Sequence, residues 1–219
     1  MKYKYGWYMP DTELHFEQYF QKSSNANGVY EYQKFQREQS FTHLENRRVA
    51  LDIGANIGLW AKDMCSIFDK VILFEPYDPN IECLKKNLVN HYNFEVYSTA
   101  LSNFNGKADM HIYEEGLGHN TLNPKADSQP NKKIQIEVIK LDDLKLMEID
   151  YIKIDVQFHE LEVIQGAIET LKNNKPVLCI ESARRNVEEL NYVKKFIHIL
   201  DKLNYKIIGE AGKELFLKK

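Results

Sequence analysis

LDIGANIGLW, residues 51–60, is the stretch that decides the fold. An apolar run carries Asp52 near its end, and glycines follow at 54 and 58. Glycines at a strand-to-helix turn let a ligand approach the backbone closely. The dinucleotide fingerprint G-x-G-x-x-G needs a glycine where this chain has Asn56, whose side chain would crowd a diphosphate. The loop reads better as D-x-G-x-N-x-G.

Outward from this loop the pattern alternates. VALDI is expected as a strand and Leu59 to Phe68 as a helix. KVILFE and then Pro79 to Asn90 repeat the unit, and FEVYSTAL gives a third strand. Two strand-like segments, Lys107 to Tyr113 and Lys133 to Leu141, flank a polar loop. DYIKIDV precedes a helix over His159 to Lys172, PVLCIE precedes one over Val187 to Leu203, and the last fifteen residues read as a hairpin. Nearly continuous apolar strands are those covered on both faces. The expected fold is α/β: a Rossmann-like, mostly parallel, doubly wound sheet ending in an antiparallel hairpin. Residues 1–45, rich in Tyr, Phe and Gln, read as an N-terminal helical arm with helical character at Phe16–Phe20 and Tyr30–Phe41, broken by SSNANG. Residues 46–219 form the main domain.

The chain has 219 residues, enough for one domain with an arm, and a net charge of −3, which argues against general nucleic-acid binding. Arg184-Arg185 reads as a solvated pair at a helix start rather than a basic patch. Cys65, Cys83 and Cys179 lack metal-ligand spacing and sit in apolar segments, as buried reduced thiols of a cytoplasmic protein would. No run is long and apolar enough to be read as a membrane helix.

In a doubly wound sheet, ligands lie outside the carboxyl ends of the strands. Asp52 suits a cationic group there, and bare N–H groups at the helix start suit a carboxylate. Glu75, ending the second strand in FEP, is placed to accept two hydrogen bonds from ribose hydroxyls. Amino acid plus ribose describes S-adenosylmethionine. The plainer alternative is a tight turn with Glu75 capping a helix.

LDIGANIGLW, FEPYDPN with CLKKN, ALSNFNG, GLGHNTL, KLDDL, and above all DYIKIDVQFHELEVIQGA followed by PVLCIE together resemble the FkbM family of S-adenosylmethionine-dependent methyltransferases. The opening GWYMPDTELHF is similar to the lead-in of phage-encoded members. The resemblance implies a methyltransferase sheet and O-methylation of a hydroxyl, often on a sugar or polyketide-type acceptor. It places Asp52, Gly54, Ala55, Asn56 and Gly58 in the cofactor loop, Glu75 with Pro76 at the ribose, and Ala100 and Leu101 near the adenine. The family usually reads K-I-D-V-E-G, whereas this chain has Gln157 and Phe158 in the last two positions.

Methyl transfer to a hydroxyl needs the acceptor held in line and its proton removed. Asp155 and Glu181, ending two successive strands, and His159 at the next helix start are the catalytic candidates. Lys153, Phe158 and Asn120 are expected at the acceptor, a small molecule or glycan. A divalent ion on Asp155, Glu181 and His159 is conceivable, but no spacing motif calls for a metal. The bland alternatives are a helix cap for His159 and a Lys153 salt bridge for the acids. Residues 114–131 read as a lid. The competing function is a cofactor-binding module that has lost turnover, and a nicotinamide-dependent dehydrogenase is disfavoured by Asn56.

Overall fold

A computed structural model describes residues 1–23, 28, 31–114, 116–124 and 129–219. In chain order the elements are β1 (Lys2–Lys4), β2 (Trp7–Met9), α1 (His15–Ser23), α2 (Lys34–Phe41), β3 (Val49–Ile53), α3 (Ala61–Ile67), β4 (Lys70–Phe74), α4 (Asp78–Asn87) and β5 (Phe94–Tyr97). They continue with β6 (Ala100–Leu101), β7 (Gly106–Ile112), β8 (Lys132–Ile139), β9 (Ile149–Ile154), α5 (Glu160–Gln165), α6 (Ile168–Asn174), β10 (Val177–Glu181), α7 (Val187–Lys202), β11 (Lys206–Ala211) and β12 (Glu214–Lys218).

The main sheet has the order β11-β12-β10-β9-β3-β4-β5. Strands β10, β9, β3, β4 and β5 are mutually parallel, and β12 runs antiparallel between β10 and β11. The apolar runs follow from burial on both faces. Leu51, Ile53, Ile72, Phe74, Ile152 and Ile154 pack towards α5, α6 and α7. Ala50, Val71, Leu73, Tyr151 and Cys179 pack towards α3 and α4. Helix α7 shows how sequence dictates such packing. Asn186 caps it by accepting the Glu189 N–H at 2.9 Å, and Val193, Phe196 and Leu200 recur at helical spacing on its buried side. Truncating Phe196 to alanine would cost about 3–5 kcal/mol.

Three elements differ from the sequence reading. FEVYSTAL divides, because Ala100 and Leu101 leave the main sheet to pair with Val138 and Ile139 of β8, while the Thr99 hydroxyl donates to the Glu137 carbonyl at 2.9 Å. The helix expected over 159–172 breaks at Gly166. A Cβ there would lie 1.9 Å from the Ser102 carbonyl oxygen, and the Gly166 carbonyl accepts the Asp142 N–H. The N-terminal segment opens with the hairpin β1–β2 before α1. Most of SSNANG and Tyr30 lie outside the described residues. Trp7, Met9, Phe16 and Phe20 share a core with Ile57, Leu59 and Cys83, and the Ser40 hydroxyl meets the buried Tyr151 hydroxyl at 2.8 Å. The three cysteines are buried free thiols.

Candidate active site

The carboxyl ends of β3, β4, β9 and β10 open into a crevice with two arms. One is lined by Ile53, Phe74, Glu75, Pro76, Asn80, Ala100, Leu101 and Asn120, the other by Asp52, Ala55, Trp60, Lys153 and Glu181; Gly54, Asn56, Asp155 and Gln157 line both. Gly54 permits this closeness. Its φ is +84°, and a Cβ would lie 2.0 Å from the Asp155 carbonyl oxygen. Gly58 is also left-handed, at φ +88°.

The loop hydrogen bonds correct one expectation. The Gly54 and Ala55 N–H groups both donate to the Phe74 carbonyl, the Asn56 N–H to Glu75, the Ile57 N–H to the Asn56 side chain and the Gly58 N–H to the Ala55 carbonyl. The N–H groups of residues 54–58, among those expected to hold a carboxylate, are therefore spent within the turn. Lys153 is the cation lining that arm of the crevice.

Glu75 Oε2 accepts the Asn56 N–H at 2.9 Å, and Oε1 accepts the Tyr77 N–H at 3.0 Å and the Asn80 amide at 3.2 Å. Three of its four lone-pair directions are filled, so it has room for one ribose hydroxyl rather than two. Asn80 Oδ1 supplies the other acceptor: it is buried and has no hydrogen-bond partner. Asn120 accepts the Tyr113 N–H through Oδ1, while its Nδ2 is a buried donor without a partner in the same arm. That places Asn120 beside Leu101, Met110 and Ile136, on the nucleoside side of the crevice rather than with the acceptor. Burial pushes the Glu75 carboxyl up to about 7 against the pull of its three donors.

Asp52 pairs in register with Lys153 and is 1% exposed. Neither carboxyl oxygen has a hydrogen-bond partner; the Ala61 N–H that faces it stays outside bonding geometry. Burial raises its pKa to about 6, with Lys153 pulling it down. Unsatisfied buried acids are costly unless a ligand completes them. An acceptor pair at Glu75 and Asn80, a lone donor at Asn120 and an unpaired acid at Asp52 fit a ribose, a base and a cationic amino-acid end.

Charged and polar side chains converge at the carboxyl ends of β9 and β10. Lys153 Nζ donates to Asp155 Oδ2 at 3.1 Å and lies 5.1 Å from the Trp60 ring centre. The Gln157 amide nitrogen donates to Asp155 Oδ1 at 2.8 Å and to Glu181 Oε2 at 2.7 Å. Burial alone would raise the Asp155 pKa, but Lys153 and hydrogen bonds from Glu181 and Gln157 hold it low. Burial, then the Asp155 charge, push Glu181 well up. Of the two carboxyls, Glu181 is thus the one that favours holding a proton. Gln157 and Phe158 are left-handed, at φ 52° and 72°, and Glu160 Oε1 holds this turn by accepting the Val156 and Phe158 N–H groups.

His159 is buried, its Nε2 3.0 Å from the Ser102 hydroxyl and its Nδ1 3.1 Å from the Asn123 amide nitrogen. Burial pushes its pKa down to about 4. With Asn123 donating to Nδ1, Nε2 carries the proton and faces Ser102, so the ring has no lone pair left to take a proton. It ties α5 to the loop after β6. Among the described residues no three His, Cys, Asp or Glu side chains are grouped to hold a metal ion.

The loop over 116–122 lies across the crevice: Gly118 lines both arms, and a Cβ on it would lie 3.0 Å from the Phe16 ring. Residues 115 and 125–128 of the expected lid are outside the described residues. The free spaces in the two arms are about 60 and 70 Å³. A third cavity of about 310 Å³ adjoins at Gln157 and Thr121 and contains Phe158.

The fold is that of class I S-adenosylmethionine-dependent methyltransferases. The Methyltransferase FkbM domain matches residues 52–207, and the chain belongs to that family. No curated protein matches it. Among solved structures, Methyltransferase FkbM from Methylobacillus flagellatus KT is similar at 16% identity and TM-score 0.53 over 93% of this chain; this chain spans 58% of that protein. The ribosomal protein L11 methylase of Lactobacillus delbrueckii subsp. bulgaricus aligns at 12% identity and TM-score 0.52, covering 84% of this chain and 76% of that one. SMU.1697c of Streptococcus mutans, in complex with SAH, aligns at 11% identity and TM-score 0.51, covering 85% and 96%. No helix among the described residues is long and apolar enough to cross a membrane.

Proposed function

We propose that the protein O-methylates a hydroxyl of a sugar, glycan or related small molecule, with residues 1–45 acting as an arm over the crevice of the 46–219 domain. The observation that supports this most is the roughly 310 Å³ cavity that adjoins the crevice at Gln157 and Thr121, with the aromatic side chains of Tyr113 and Phe158 and the polar groups of Thr121, Asn123 and Gln157 in its wall. Flat apolar faces edged by hydrogen-bonding groups suit a polyol ring. S-Adenosylmethionine, when bound, supplies the methyl group and its leaving group. Glu75 and Asn80 would hold its ribose, Asn120 its base and Asp52 its cationic end. Asp155, kept ionised by Lys153, accepts a hydrogen bond from the acceptor hydroxyl, and the Asp155–Glu181 pair takes up its proton. Incubation with methyl-labelled cofactor and a glycan panel tests this: label should pass to a hydroxylated sugar and be lost in Asp155→Asn. Label passing only to protein, nucleic acid or nitrogen acceptors would refute it.

A second reading, a cofactor-binding module without turnover, draws on Gln157, whose amide occupies the two acids nearest the crevice. Cofactor binding with no transfer to any acceptor would favour it; transfer abolished by Asp155→Asn would exclude it.

A further inference from the structure

The cavity beyond Gln157 differs in charge from the crevice it adjoins. The crevice holds Asp52, Glu75, Asp155 and Glu181, whereas among the described residues no acid lines the third cavity and Arg185 does. We propose that this cavity binds the acceptor through an anionic substituent, a carboxylate or a phosphate, held by Arg185. The proposal rests on the acceptor reading above and narrows it to acidic or phosphorylated acceptors.

Arg185 is fixed for this task. The buried Glu189 carboxylate accepts its Nε at 3.1 Å, its Nη2 at 2.8 Å and its backbone N–H at 2.9 Å. Glu189 sits in the first turn of α7, so the helix sets the guanidinium's orientation. No hydrogen bond from Nη1 is present among the described residues, and the side chain is 62% exposed. A guanidinium clamped on one edge presents the other to an anion with little further loss of freedom. Arg184, by contrast, pairs with Glu210 at 3.0 Å and lines none of the three cavities.

The surroundings reinforce this. His119 lines the same cavity, and its pKa is lowered first by burial and then by His15, Lys213 and Arg185. The His15 and His119 rings meet edge-on, 5.0 Å between centres. Lys213 approaches Glu181 Oε1 at 3.5 Å. Lys213 and Arg185 are thus the two standing positive charges that bear on His119 in this cavity's wall. An acceptor anchored by its anion at the rim would direct its hydroxyl inward, towards Gln157 and Asp155.

The test uses the intact protein saturated with S-adenosylhomocysteine and matched probes: glucuronate and glucose 6-phosphate against glucose, and phenyl phosphate against phenol. Binding is followed by calorimetry and by the Arg185 side-chain ¹⁵N resonance. At least one anionic probe should bind roughly tenfold or more tightly than its neutral partner and shift that resonance. In Arg185→Gln the preference should fall below about threefold, with the affinity for S-adenosylhomocysteine unchanged, and Arg184→Gln should retain the preference. Should Arg185→Gln unfold through loss of the guanidinium's two hydrogen bonds to the buried Glu189, the wild-type resonance shift still decides. Equal binding of charged and neutral probes, no binding of any anionic probe, or a preference retained in folded Arg185→Gln would overturn the proposal. A glucuronate preference singles out carboxylates and a glucose 6-phosphate preference phosphates. Phenyl phosphate binding with no sugar binding keeps the anion site and removes the sugar reading. Methyl transfer to neutral glucose alone does the reverse.

Discussion

Replacing Gln157 by glutamate keeps the side chain's length and removes its two donated hydrogens. The amide nitrogen lies 2.8 Å from Asp155 Oδ1 and 2.7 Å from Glu181 Oε2, so the variant sets a third carboxyl against two others. The new carboxyl's O–H replaces one of the two donors, for a loss of about 1 kcal/mol at any pH. A folded-state pKa raised by about two units over an unfolded value of about 4.3 makes the acid destabilising as pH rises through the interval between them. That adds about 1 kcal/mol at pH 5, where most of the unfolded chain has already released the proton, and about 2.7 kcal/mol at pH 8, above both values. The loss should therefore grow from about 2 to about 4 kcal/mol between pH 5 and 8. For a domain of this size that is a melting-point deficit of about 6 °C at pH 5 and about 12 °C at pH 8. Thermal and urea unfolding of wild type, Gln157→Glu and Gln157→Leu at both pH values measures it. The leucine variant loses the donors without adding a charge, so its deficit should not grow in the same way. A glutamate deficit that is absent, or the same at both pH values, would refute the placement of Gln157 between the two acids.

Gly54→Ala should abolish binding of S-adenosylhomocysteine and cost several kcal/mol, because its Cβ would lie 2.0 Å from the Asp155 carbonyl oxygen at a left-handed φ; calorimetry and melting curves check both. Binding should tighten from pH 5 to pH 8 as Asp52 and Glu75, raised to about 6 and about 7, ionise to meet a cation and a hydroxyl; Asp52→Asn should flatten the lower part of that profile. The same two shifts make the ligand-free fold lose stability as pH rises from about 4 to about 7, which melting curves across that range test. Phe16→Ala, which removes the ring beneath Gly118, should speed ligand entry in stopped-flow fluorescence with a smaller effect on affinity.

The parallel strands were legible because burial on both faces writes itself as continuous apolar runs, and Asp52, Glu75, Asp155 and Glu181 followed from their places at strand ends. The splitting of the third strand was not, since nothing local tells Ala100 and Leu101 that β8 will be their partner. The break at Gly166 depends on a carbonyl 64 positions earlier in the chain, at Ser102. Asn80 stood in the quoted FEPYDPN stretch, but only the filled lone pairs of Glu75 expose its need for a ligand. The His159 side chain looked like a base from its type and helix-start position; its two hydrogen-bond partners come from distant loops and leave it structural.

Calorimetric titration of the wild-type protein with S-adenosylhomocysteine and with its 2′,3′-dideoxyribose analogue probes the crevice with no change to the protein. The parent should bind one per chain and the analogue about 10- to 100-fold more weakly, because Glu75 and Asn80 Oδ1 would be left buried and unpaired. Equal affinity for the two compounds, or no uptake of either by the folded protein, would contradict the assignment of these strand tips as the cofactor site.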